Sequence, residues 1–68
     1  MVDVNLLKSE IVKNGMTQSE FCQKIGMAHS TFVRKMKYGI VNTDEAEKMA
    51  QVLCLENPEK IFFAQNLT

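Results

Sequence analysis

Two helical stretches of about nine residues, Thr17 to Ile25 and about His29 to Lys37, stand on either side of the turn Gly26-Met27-Ala28. A connection that short, opening with a residue that tolerates left-handed backbone, forces the two helices to cross steeply. The first stretch has a sharp start. Thr17-Gln18-Ser19-Glu20 is a capping box, in which the Thr hydroxyl accepts from the amide three residues on and Glu20 reaches back to the Thr17 amide. Phe21 and Ile25 lie one turn apart on its inner side, and Phe32 and Met36 repeat that spacing on the second helix. The other residues of the second helix, Ser30, Thr31, Val33, Arg34, Lys35 and Lys37, are mostly polar or cationic. One face can pack while the other meets solvent or a ligand.

The flanking sequence is helical too, and no strand-like alternation of useful length occurs. Val4, Leu7 and Ile11 make one stripe on a helix from about Val4 to Asn14, which Gly15 stops. A fourth helix begins at the cap Asn42, with Glu45 three residues on, and continues to about Leu53 with Ala46, Met49, Ala50 and Leu53 inward. Asn57-Pro58-Glu59 reads as cap, first-turn proline and acid. It opens a short helix from Pro58 to about Ala64 that carries Ile61, Phe62 and Phe63, and the tail from Gln65 to Thr68 is expected to fray. The expected fold is all-α: one domain over residues 1–68, a compact bundle of about five short helices, with the crossed pair at about 17–38. A chain this small buries only about 60% of its unfolded surface, so each apolar side chain counts.

The formal net charge is zero, but its distribution is uneven. Residues 21–43 hold Lys24, Arg34, Lys35 and Lys37 with no acid, and His29 lies among them. Residues 1–20 set Lys8 and Lys13 against Asp3, Glu10 and Glu20, and residues 44–68 set two lysines against five acids. One basic segment between two acidic ones suits a molecule with a single anion-facing surface; the plainer reading is a solvated cationic face. Cys22, His29 and Cys54 have no metal-ligand spacing, and both thiols read as core residues of a reducing compartment. The lone His, the absence of a glycine-rich phosphate loop and the small size argue against catalysis, so no catalytic residue, metal or cofactor is expected. No stretch is apolar enough to span a membrane, and Met1-Val2-Asp3-Val4-Asn5 lacks the cationic start of a signal peptide, so the expected location is the cytoplasm.

Residues 16–39 resemble the helix-turn-helix of the Cro and lambda-repressor superfamily, also called the XRE-like family. The features that carry the likeness are Thr17-Gln18 opening a helix, small Cys22 in its middle, Gly26 at the turn, and Ser30-Thr31-Phe32 in the next helix. The run Asp44-Glu45-Ala46-Glu47-Lys48-Met49 with Leu53, and the closing Ile61-Phe62-Phe63, are similar to the later helices of small phage and prophage regulators. The resemblance implies a sequence-specific regulator of transcription, Cro-like or repressor-like, that reads operator DNA in the major groove. Thr17 and Gln18 would lie at the DNA backbone, with Gln18 buttressing the reading helix. Ala28, His29, Ser30 and Arg34 match positions facing base edges, with Val33 beside them, and Lys35 and Lys37 would hold phosphates. Two departures stand out. Ala28 replaces the usual capping Ser or Thr, and the stretch Lys35-Met36-Lys37-Tyr38-Gly39 is one residue longer than the common form.

A single reading helix spans only a few base pairs, so the expected partners are double-stranded operator DNA and a second copy, the homodimer matching half-sites about 34 Å apart. Ile61-Phe62-Phe63 is either a contact between the copies or a plug for the monomer core. The alternative function is that of a phage modulator or antirepressor, which uses the same fold to grip a repressor protein.

Overall fold

The computed structural model describes residues 1–63. Five helices follow in chain order: α1 (Val4–Lys13), α2 (Gln18–Ile25), α3 (His29–Tyr38), α4 (Thr43–Leu53) and α5 (Glu59–Phe62). No strand occurs among the described residues. The expected bundle of five short helices is therefore the observed architecture, with α2 packed on α3 and α4, and α1 on α2 and α5. Ala64 and the tail Gln65 to Thr68 lie outside the described residues. None of the helices described is long and apolar enough to cross a membrane.

Local chemistry sets where the helices start. Asp3 Oδ1 accepts from the Leu6 amide at 3.1 Å and opens α1. Capping boxes open α2 and α4: Thr17 with Glu20, and Asn42 with Glu45. α3 starts at Ala28, which has the extended backbone of a cap residue but no side chain to bond an amide. α5 matches expectation in part. Pro58 has the helical dihedrals of a first-turn proline, but no side chain caps the helix, and Asn57 contributes only its carbonyl, 3.2 Å from the Lys60 amide.

The ends of α1 to α4 share one closure. Each has a residue of positive φ (Gly15, Gly26, Gly39, Cys54) followed by an apolar residue whose amide donates five residues back: Met16 to Ile11, Met27 to Cys22, Ile40 to Lys35 and Leu55 to Ala50. This is the Schellman arrangement, which satisfies the last carbonyls and folds the following apolar residue against the helix. Met16, Met27 and Leu55 do pack on the core; Ile40 stays 67% exposed.

The core gathers Leu7 and Ile11 from α1, Phe21 and Ile25 from α2, Phe32 and Met36 from α3, and Met49 and Leu53 from α4. Val2, not marked by any periodicity, is buried as well. Its amide donates to Gly39 O at 2.9 Å, and the Asp3 amide donates to Ile61 O at 2.7 Å, so the N-terminal segment ties the end of α3 to α5. Ile61 and Phe62 are buried, which makes Phe62 a plug, whereas Phe63 is 62% exposed. The two thiols part company. Cys22 is buried as expected, but Cys54 is exposed, because the α4 closure needs a left-handed residue there and gives the inward apolar place to Leu55.

Candidate nucleic-acid interface

The position of α3 is set by its two buried side chains. Phe32 is fully buried and meets the Phe21 ring edge-on, with centroids 5.9 Å apart and planes at 74°. Edge-to-face rings favour one mutual orientation, so this pair and Met36 fix which way the helix is rolled. With Phe32 and Met36 inward, the 100° step per residue turns Ser30, Arg34 and Lys37 to the opposite side. All three are exposed, and Val33 beside them is half exposed. A guanidinium fork, a hydroxyl, an ammonium and an apolar patch thus share one solvent-facing surface. Among the described residues no carboxylate lies within ion-pair distance of Arg34 or Lys37.

The joint with α2 brings Gln18 and His29 to the same edge. His29 Nε2 is 3.5 Å from Gln18 Oε1, a long contact between side chains eleven residues apart. Gln18 is half-buried, as suits a residue bracing a neighbouring helix, and His29 and Ala28 are exposed at the start of α3. Thr17 is exposed too, but its hydroxyl is engaged with the Glu20 amide at 3.1 Å. The Thr17 amide donates to Glu20 Oε1 at 2.8 Å, and that bond, then the Thr17 side chain and last the charge of Lys24, hold the Glu20 carboxyl below its ordinary range against the opposing effect of burial. Gly26 between the helices has φ 71°, and a Cβ there would meet nothing within 4 Å. The turn requires glycine for its backbone angle, not for space.

Lys35 is the predicted residue that the fold sets apart. It lies on the flank of α3 facing α4, half-buried, with its ammonium 3.2 Å from Glu45 Oε2. The same carboxylate accepts from the Asn42 amide through Oε1 at 3.0 Å. One glutamate thereby closes the α4 cap and pins α3. The capping-box spacing marks Glu45 as a helix-start residue, but only the tertiary fold shows its second partner.

Sequence reasoning also left out α1. A groove of about 320 Å³ runs between α1 and α3, and Lys8 lines it together with Gln18, Val33 and Lys37. The signal for this was present: Lys8 lies one turn after Val4, at the edge of the stripe that Val4 forms with Leu7 and Ile11. Elsewhere, burial raises the Cys22 thiol above its ordinary range, keeping it protonated and inert. No group of three His, Cys, Asp or Glu residues among those described is placed to hold a metal.

No protein family, no curated protein and no solved structure matches this chain.

Proposed function

We propose that the chain is a sequence-specific double-stranded DNA-binding regulator of transcription, of the phage type, acting in the cytoplasm. The α2–α3 pair is its helix-turn-helix unit, and α3 enters the major groove. The observation that carries this reading is the outer face of α3. Ser30, Val33, Arg34 and Lys37 are all solvent-facing on a helix that Phe32 and Met36 anchor from behind. A helix presenting such a face fits a major groove, where Arg can bond guanine O6 and N7 together and an apolar side chain can meet the thymine methyl. His29 and Ala28 approach base edges at the start of α3, Gln18 and Thr17 approach the backbone, and Lys37 holds a phosphate. Lys35 is assigned to the protein itself, since Glu45 occupies it. Binding is as a homodimer, and exposed Phe63 at the end of α5 is the aromatic available for the contact between copies.

The test is selection of bound duplexes from a random pool, followed by affinity measurements on Arg34→Ala. A single enriched motif is expected, with Arg34→Ala losing about 5- to 150-fold in affinity for it, the equivalent of about 1–3 kcal/mol. The melting temperature should be unchanged, because Arg34 is exposed and makes no ion pair among the described residues. No enrichment, or parental affinity in Arg34→Ala, refutes the assignment. Stable binding to a repressor protein in place of DNA would establish the antirepressor function instead.

A further inference from the structure

We propose that Lys8 binds a backbone phosphate of the DNA in the groove between α1 and α3, which extends the interface onto a helix outside the helix-turn-helix unit. The inference rests on the DNA-binding reading above and adds a second surface to it.

The groove is built from three helices. Val4 and Lys8 come from α1, Gln18 from the start of α2, and Val33, Met36 and Lys37 from α3. Two lysines and a glutamine line it, its other lining residues are apolar, and no carboxylate lines it. Because Val33 and Lys37 also belong to the outer face of α3, anything lying along that face at the α1 side passes over the groove. A sugar–phosphate strand suits the chemistry on both counts. Its phosphate takes charged donors, and its deoxyribose lies against aliphatic side chains.

The other flank of α1 supplies the comparison. There Lys13 is held by Glu10 at 3.5 Å. The cleft beside it, also lined by Lys60, includes Glu10 and Glu56. On that side Lys13 is paired and two glutamates line the cleft; Lys8 and Lys37 have no carboxylate within ion-pair distance among the described residues, and none lines their groove. Two lysines from different helices line one groove without an acid, which gives a local positive charge in a chain whose formal net charge is zero. Such a site attracts a polyanion and contributes to affinity without reading sequence.

The experiment measures duplex affinity at several salt concentrations for the parent chain, Lys8→Ala, Lys8→Arg and Lys60→Ala. Both alanine variants remove one positive charge, so Lys60→Ala controls for net charge. Lys8→Ala is expected to weaken binding to the selected site and to a random duplex by the same factor. It should also reduce the slope of log affinity against log salt by about 0.9 per bound protomer, the counterion release of one phosphate. Lys8→Arg should retain the parental slope, and Lys60→Ala should leave it unchanged. If the parent binds DNA but Lys8→Ala keeps its slope, or Lys60→Ala lowers it equally, Lys8 has no special role and the helix-turn-helix reading stands alone. If the parent binds no duplex even at low salt, both proposals fall.

Discussion

Cys54 occupies a place that three other helix ends in this chain give to glycine. Its φ of 51° falls in the left-handed region, where a Cβ is strained by roughly 1 kcal/mol. The thiol recovers little of this, since its contact with Gln51 O is 3.8 Å long and exposed. Cys54→Gly is therefore expected to stabilise the fold by about 0.5–1 kcal/mol, raising the melting temperature by about 2–8 °C in a domain of this size. Thermal denaturation followed by circular dichroism checks it; a fall in the midpoint would mean that the thiol packs more productively than its exposure implies. Gly15, Gly26 and Gly39 announce their helix ends in the sequence, whereas Cys54 reads as a small buried hydrophobe. What distinguishes it from Cys22 is backbone angle, and residue type alone does not encode that. The pairing of Lys35 with Glu45 is hidden for a related reason: the two residues are ten apart and meet only once α3 and α4 are in place.

Helix boundaries were the most legible part of the structure, because capping is chemistry between residues three or four apart. Thr17 with Glu20 and Asn42 with Glu45 form in full, and α1, α3 and α4 end within about one residue of where the stop signals put them. α5 was less so, since Pro58 begins it with backbone alone. The α2 box also makes a pH-dependent element. Glu20 has its pKa lowered in the folded state, so its contribution to stability is present above the ordinary glutamate value of 4.5 and is lost as the pH falls through the lower folded value. Stability from this source thus declines with acidification, and Glu20→Gln should lower the melting temperature near neutral pH while narrowing its fall between roughly pH 5 and pH 3. Melting curves across that range decide it. A variant with the parental pH dependence would show that the carboxylate contributes nothing to the start of α2.

Across the molecule, charge along the chain and charge in space are distributed differently. The basic segment 21–43 is real, yet one of its members, Lys35, is neutralised by α4, while Lys8 from the net-acidic N-terminal segment joins the groove beside α3. Apolar content divides in the same way. In the run Ile61-Phe62-Phe63 the first two residues complete the core and the third remains exposed, a partition that one short turn of helix and the Asp3–Ile61 hydrogen bond determine together. The outer face of α3 was the feature that sequence rendered best. Once Phe32 and Met36 are inward, helix geometry alone places Ser30, Arg34 and Lys37 outward.

In the proposed function this face contacts bases from the major groove, where guanine presents its N7. Methylation of N7 by dimethyl sulfate on the selected duplex, with and without protein, measures that contact directly. Protection of about one or two guanines in each half-site is expected with the parent chain, and loss of that protection with Arg34→Ala. Tight binding that leaves every guanine N7 as reactive as in free DNA would contradict this reading.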